Sequence, residues 1–172
     1  MQLPSFFDYP ILVQSSKQQD SVLMSGDLEI IVRQINTQKI LRTIRIKNTI
    51  TFEGTSSLVR LLAQDGVVLT DYQIDTLKVG SNGTPPTRGD AALGTLVLSK
   101  TLTSGNRLQS LTTSELIIQT QLGPLDAVGS TLREVGLFFK NGVLAARQIY
   151  PEILKTSLIT VSYTWRIGFA TN

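Results

Sequence analysis

The chain of 172 residues contains no cysteine and no histidine. Disulfide bonds, thiol nucleophiles and imidazole acid–base catalysis are therefore excluded, together with almost every transition-metal site. An enzyme built from this sequence would have to work with carboxylates, lysine, tyrosine or serine alone. The sequence accordingly predicts no catalytic residue, no cofactor and no metal ion.

Charge is also scarce, since only 17% of the residues are Asp, Glu, Lys or Arg, against about 25% in an ordinary soluble domain. Such a composition is typical of an all-β protein, or of a surface covered by neighbours in an assembly. The net charge is +3, with Lys and Arg scattered along the chain, so no nucleic-acid partner is predicted. Neither a signal peptide nor a membrane-spanning run is expected.

An Asn-Gly pair, Asn141-Gly142, joins two strand-like runs at 132–140 and 143–150. This pattern favours a two-residue type I′ hairpin turn, because both central residues of that turn need a positive φ. A two-residue loop pairs Lys140 with Val143, Phe139 with Leu144 and Leu137 with Ala146. The sequence therefore predicts a β-hairpin centred on Asn141 and Gly142.

The last third of the chain contains strict alternation of apolar and polar residues from 159 to 169. Period-two alternation predicts a strand with one face in the core. The predicted core residues are Val161, Tyr163, Trp165, Ile167 and Phe169. Together with the hairpin, this strand is expected to form a three-strand sheet with an aromatic inner face, at the centre of the fold.

A second hairpin is predicted from 27–33 and 39–48, with a turn near Asn36 and Thr37 and with Arg42, Arg45 and Lys47 pointing outward. Further strands are predicted at 74–80, 94–103 and 115–122, and the first two are separated by a loop of turn-forming residues. The fold class expected is an all-β antiparallel sandwich forming a single domain at 26–172.

One short helix is predicted at 55–64, beginning near Gly54. Thr55 or Ser56 would cap it, and Leu58, Leu61 and Leu62 would form its apolar stripe. A lone short helix in such a chain is expected to close one end of the sandwich.

Residues 1–25 are predicted to be an extended arm, with Phe6, Phe7, Tyr9 and Ile11 as its apolar part. These side chains would either cover the core of their own domain or form an interface with a neighbouring subunit. Aromatic residues are favoured at the centres of interfaces. We expect an interface with a second copy.

Two further patterns suggest chemistry. Arg88-Gly89-Asp90 is an integrin-type tripeptide, but it is also common in tight loops, and we interpret it as a loop. Glu134 and Glu152 could pair as the carboxylates of a glycosidase. Because Glu134 follows Arg133 in a strand, we interpret it instead as one half of a surface ion pair.

Four stretches, in order, resemble the phage tail-collar fibre family and related virion proteins. Residues 47–54 (KNTITFEG) resemble its N-x-I-T-x-x-G pattern, and residues 78–93 (KVGSNGTPPTRGDAAL) resemble its G-x-G-x-x-x-P-x-x-x-D-x-x-L segment. Residues 132–138 (LREVGLF) with 141–147 (NGVLAAR) match its E-x-G-L-F and n-G-x-l-x-A-R segments. Pro151, Lys155-Thr156 and the run from Val161 to Phe169 resemble its closing P-x-x-K-t and W-x-i-x-F segments. The resemblance covers roughly residues 47–169.

The resemblance implies a β-rich structural protein of a tailed-phage virion, made in the host cytoplasm, that binds other virion proteins and copies of itself, as a trimer. The chain ends at Asn172 with no fibre shaft or receptor-binding tip, so the expectation is a tail, baseplate or collar protein that anchors fibres. Capsid decoration is the first alternative. A carbohydrate-binding module using Trp165 or Tyr163 is another, and a glycan-cleaving enzyme is the third.

Overall fold

The computed structural model describes the backbone of residues 22–63 and 68–171, and the side chains of residues 26–63 and 68–168. Within them lie one α-helix, α1 (Phe52–Ala63), and ten strands. The strands are β1 (Val22–Gln34), β2 (Ile40–Lys47), β3 (Thr49–Ile50), β4 (Ile74–Gly80), β5 (Leu96–Thr101), β6 (Arg107–Ser110), β7 (Glu115–Leu122), β8 (Thr131–Phe139), β9 (Leu144–Leu154) and β10 (Ile159–Thr171).

The strands form two five-stranded sheets that pack as a sandwich. Sheet one has the order β2-β1-β10-β7-β6, and sheet two has the order β3-β9-β8-β4-β5. Every strand pairing is antiparallel. The prediction of an all-β sandwich with one short helix is therefore confirmed. No helix in these residues is long and apolar enough to cross a membrane.

The predicted three-strand sheet is wrong, because the hairpin and the final strand belong to opposite sheets. β8 and β9 lie in sheet two, whereas β10 pairs with β1 and β7 in sheet one. The turn at 155–158 carries the chain from one sheet to the other. Alternation specifies which face of a strand is buried and leaves its partners open, so adjacency in sequence suggested the wrong neighbours.

The predicted core residues of β10 are buried between the sheets. Val161, Tyr163, Trp165 and Ile167 are all 5% exposed or less. Phe169 lies in β10 opposite Met24, and its side chain falls outside the described residues. The alternation along this strand therefore identified the inward face correctly at the four positions that the structure describes.

The β8–β9 hairpin exists, but its loop has three residues rather than two. Gly142 N donates to Phe139 O and Phe139 N donates to Val143 O, both at 2.9 Å, so the loop is Lys140, Asn141 and Gly142. Gly142 has φ of +87°, while Asn141 is not among the described residues with positive φ. A type I turn followed by a left-handed residue fits this loop better than a type I′ turn.

The register of the hairpin changes near its loop. Leu137 pairs with Ala146 as predicted, but Phe138, not Phe139, pairs with Leu144. Between these two pairs β9 has one extra residue, Ala145, which forms a β-bulge and changes the direction of the end of the strand. The predicted pairings of Phe139 with Leu144 and Lys140 with Val143 are therefore wrong.

Helix α1 begins at Phe52, three residues before the predicted range, and its cap is Thr51. The Thr51 hydroxyl accepts a hydrogen bond from Gly54 N at 2.9 Å and donates to Leu144 O at 2.6 Å, which caps the helix and ties it to β9. A Cβ on Gly54 would collide with the Ala145 carbonyl oxygen, so only glycine allows this close packing.

The predicted apolar stripe of α1 is wrong in part. Leu58 and Leu61 are half-buried, but Leu62 is 76% exposed. Phe52 and Val59 are exposed as well. The helix therefore covers the sandwich with its small residues and leaves an apolar outer face.

The second hairpin is present as predicted, with its turn at residues 35–37 between β1 and β2. Arg45 and Lys47 form exposed ion pairs with Glu29 and Asp27. The short strands β3 and β6 were not predicted. Residues 22–25 of the predicted arm lie in β1, whereas Phe6, Phe7, Tyr9 and Ile11 lie outside the described residues.

Candidate functional site

A buried carboxylate on β8 organises the outer face of sheet two. Glu134 is 0% exposed. It accepts hydrogen bonds from the backbone amides of Asn82, Gly94 and Thr95 at 3.2, 3.0 and 2.8 Å. The loop at 81–95 therefore closes over the sheet because its backbone amides converge on one negative charge.

Arg147 on β9 pairs with the same carboxylate. Its Nε and Nη2 atoms lie 3.0 and 2.9 Å from Glu134 Oε2, and its Nη1 lies 2.7 Å from Asp90 Oδ2. Nη2 also donates to Thr84 O at 3.1 Å. Because Asp90 and Thr84 belong to the loop, the guanidinium fastens the loop at two further points. We call Glu134, Arg147 and Asp90 the buried triad.

Electrostatics within the triad follow from these contacts. Burial acts to raise the pKa of Asp90, but hydrogen bonds from Thr87 and the Arg147 guanidinium outweigh it and hold that pKa below its usual value. Burial acts to lower the pKa of Arg147, and its pairing with Asp90 and Glu134 raises it overall. Glu134 and Arg147 are therefore stabilised by partners rather than by water, whereas the Asp90 side chain stays 21% exposed.

The tripeptide at residues 88–90 has a structural role, since Asp90 belongs to the triad. Asp90 is engaged by Arg147 and by Thr87, and Arg88 lies over the Phe52 ring at 4.5 Å. Arg88 O accepts from Phe52 N at 2.8 Å. The tripeptide thus joins the loop to the start of α1, in agreement with its interpretation as a loop.

The surface ion pair predicted for Glu134 and Arg133 is wrong. Glu134 is buried and pairs with Arg147, while Arg133 is exposed and packs against Gly83. The oxygens of Glu134 already accept five hydrogen bonds or ion-pair contacts from the protein. Such a saturated carboxylate is poorly suited to proton transfer, which needs an accessible oxygen.

A signal for this pair was present in the sequence. The predicted pairing of Leu137 with Ala146 implies that Gly136 lies opposite Arg147, as the structure shows. Glu134 is two residues from Gly136, so it lies on the same face as Arg147 and diagonal to it. Two opposite charges inside apolar strand runs, at diagonal positions of one hairpin, indicate a buried pair.

No match was found when the chain was compared with protein-family models, with curated proteins and with solved structures.

Two of the four stretches that resemble the tail-collar family meet at the buried triad, and a third packs beside it. Residues 47–54 supply Thr51 and Gly54, which pack on the β9 end of the hairpin. Residues 78–93 supply Asn82 and Asp90, and residues 132–147 supply Glu134 and Arg147. Segments separated by up to about a hundred residues thus form one connected structure.

An apolar cavity of about 360 Å³ lies beside α1, between the two sheets. Its apolar lining includes Ile50, Leu58, Leu61, Leu116, Phe139 and Ile167. Tyr72, Gln73, Arg107 and Gln109 lie on its polar side. We call the end of the sandwich that contains this cavity, α1 and the hairpin loop the helix end.

The opposite end is formed by the loops at 35–39, 123–130 and 155–158, and we call it the turn end. Hydrogen bonds from Ile35 N to Leu158 O and from Gly129 N to Lys155 O hold these loops together. Lys155 is buried, which lowers the pKa of its ammonium against the opposing effect of Asp126. Its Nζ donates to Thr156 O at 2.8 Å.

Exposed large apolar side chains concentrate at both ends of the sandwich. At the turn end they are Ile40, Leu41, Leu125, Val128, Leu154 and Leu158, and at the helix end they include Phe52, Val59, Leu62, Val68 and Leu69. Leu125 reaches 87% exposure. Grouped apolar exposure of this kind is common at surfaces that bind proteins, membranes or other ligands.

The aromatic residues considered for sugar binding lie in the core. Trp165 is 0% exposed and Tyr163 is 1% exposed. The hydroxyls of Tyr163 and Tyr150 lie 2.9 Å apart, and burial raises the pKa of both phenols. Neither Trp165 nor Tyr163 offers a ring face for stacking on a ligand. Among the described residues no group of three or more Asp and Glu is placed to hold a metal ion.

Proposed function

We propose that this chain is a non-enzymatic structural component of a tailed-phage virion, a tail, baseplate or collar protein that anchors fibres through protein–protein contacts. It resides in the virion, after synthesis in the host cytoplasm. Its partners are copies of itself, as a trimer, and other virion proteins. The observation that carries the proposal is the meeting of two family-like stretches, 78–93 and 132–147, at the buried triad, where residues distant in sequence form one connected structure.

The triad suits an anchoring role because it makes a long loop rigid. Charge-assisted hydrogen bonds to three loop amides and an arginine clamp hold residues 81–95 against sheet two. A loop fixed in this way can bear load or present a defined surface, since binding then costs little conformational entropy.

The exposed apolar ends supply surfaces for partners. Stable interfaces bury more than about 1,000 Å² in total and use apolar anchors at their centres. Exposed leucines such as Leu125 and Leu158 at the turn end provide such anchors. A sandwich with apolar patches at both ends is suited to a position between two other components.

The chemistry of the site supports a role without catalysis. Glu134 has its oxygens occupied, and Glu152 is an exposed residue of β9 whose carbonyl oxygen accepts from Arg42. The burial of Trp165 and Tyr163 counts against the carbohydrate-binding alternative.

Localisation on purified particles tests the proposal. Gold-labelled antibodies against the chain, or assignment of the sandwich in a cryo-EM map, should place it at the baseplate, collar or fibre base. Density on the capsid lattice would instead establish capsid decoration. Turnover of a host glycan that is abolished by Glu134→Gln or Glu152→Gln would overturn both structural roles.

A further inference from the structure

We propose that the aromatic segment 6–9 (FFDY) of one copy binds in the apolar cavity at the helix end of a neighbouring copy. This inference rests on the self-association that forms part of the proposed function. The binding segment therefore belongs to one copy and the cavity to another. Four observations carry it: the path of β1, the cavity's size, its chemistry and the reach of the arm.

The path of β1 brings the start of the described chain to the helix end of the sandwich. The pairing of β2 with β1 ends at Asp27, and the pairing of β7 with β10 ends opposite Gly168. Beyond these points β1 and β10 continue as a ribbon in which Val22 pairs with Thr171. This ribbon projects past Gly168 by about 10 Å, at roughly 3.3 Å per residue. Residues 1–21 precede its tip, at the same end of the sandwich as the cavity.

The cavity is large enough for aromatic side chains. Its volume is about 360 Å³, whereas an apolar cavity of roughly 150 Å³ can bind benzene. Two rings, such as those of Phe6 and Phe7, therefore fit by volume. Each buried aromatic side chain removes about 150–250 Å² from water, so Phe6, Phe7 and Tyr9 together approach the share of about 800 Å² that one partner contributes to a standard interface.

The lining of the cavity suits aromatic side chains better than the head group of a small anionic amphiphile. Arg107 is the basic residue of the lining, and its Nη1 donates to Ile74 O and Leu102 O at 3.1 and 3.0 Å. With the Gln73 amide in its hydrogen-bonding orientation, the oxygen accepts from Arg107 Nη2 at 3.0 Å and Nε at 3.2 Å. Most of the guanidinium N–H groups are thus used within the protein, so a carboxylate or phosphate gains little there.

The arm is long enough to reach a neighbour. Residues 9–22 span at most about 45 Å when extended. A domain of about 150 residues has a radius of gyration of roughly 15 Å, so this length crosses a contacting subunit. Cyclic exchange around the proposed trimer, with each arm in the cavity of the next copy, would fill every cavity and close a symmetric oligomer.

Disulfide trapping tests the contact, because a chain without cysteine allows introduced thiols to be unique. Two differently tagged copies are co-expressed, one carrying Phe7→Cys and the other Gln109→Cys at the cavity rim. We expect a disulfide-linked pair of tagged chains, in yield about tenfold or more above a control, since docking raises the effective thiol concentration. The control replaces Gln109→Cys with Leu125→Cys at the turn end, where exposure is high.

Two outcomes of the trapping experiment would overturn the proposal. A disulfide that forms within single chains carrying both Phe7→Cys and Gln109→Cys, but not between co-expressed chains, would place the arm in its own cavity. Equal yields for the rim and turn-end positions would show that the cavity is not the arm's site.

Light scattering on the cysteine-free chain separates this inference from the proposed function. The double variant Phe6→Ser and Phe7→Ser should shift the micromolar oligomer to monomer, whereas Gln14→Ala with Gln18→Ala should not. An oligomer unchanged by the serine variant would refute arm docking while leaving fibre anchoring intact. If the arm docks in the cavity but the protein is not located in virions, the proposed function is refuted and the docking inference stands.

Discussion

Replacing Glu134 with Gln tests the buried triad directly. The carboxylate is 0% exposed and accepts from three loop amides and from Arg147. Gln keeps the shape but turns one accepting oxygen into an NH₂ group that faces donors, and leaves Arg147 with Asp90 as its remaining carboxylate. Breaking a buried ion pair from one side costs about 3–5 kcal/mol. For a domain of this size, that corresponds to a Tm decrease of roughly 6–20 °C.

The assay is urea and thermal unfolding followed by the fluorescence of Trp165, the single tryptophan. Glu152→Gln is the matched control, because it makes the same change at an exposed position of β9, where the effect should stay within about 0.5 kcal/mol. Trypsin should also cut after Arg88 faster in Glu134→Gln, since the loop loses its anchor. If both variants unfold within about 0.5 kcal/mol of the wild type, the anchoring argument is refuted.

Three other predictions concern the turn, the triad and the core. Gly142→Ala should destabilise the domain by about 1–2 kcal/mol, the cost of a left-handed residue with a Cβ, because the φ of Gly142 is +87°. No atom lies within 4 Å of the added Cβ, so the cost comes from the backbone angle alone. Gly89→Ala, at ordinary φ, should change the unfolding free energy far less. Because the folded pKa of Asp90 is lowered, its stabilising contribution is present above the unfolded pKa, near 4, and is lost as pH falls through the folded pKa. Asp90→Asn should therefore flatten the acid side of the stability–pH curve in urea titrations, and an unchanged slope would contradict this. Tyr150 and Tyr163 have raised pKa values, so their contribution persists below the unfolded pKa, near 10, and is lost as pH rises towards the folded values. Absorbance titration should show two phenols that ionise at higher pH than free tyrosine, and Tyr150→Phe should remove one of these late steps; complete ionisation in a single transition near pH 10 would refute it.

Local patterns determined the existence and type of most elements. Alternation predicted β10 and its inward face, including Trp165, because side chains on successive strand residues point to opposite sides. The run at 74–80 and the run at 115–122 were predicted with the bounds that β4 and β7 have. The Asn-Gly pair predicted the position of the β8–β9 hairpin. The loop has three residues instead of two because Asn141 lacks the positive φ that a type I′ turn requires.

Tertiary structure decided what is buried together, because burial depends on partners distant in sequence. Glu134 is buried since backbone amides 39–52 residues away converge on it, and no local pattern encodes that approach. The cap of α1 is Thr51 since its hydroxyl is held by Leu144 O on β9. The sheet to which β10 belongs follows from thirteen long-range pairs with β1. Alternation within one strand specifies a face, whereas the choice of neighbour depends on how the whole chain closes its core.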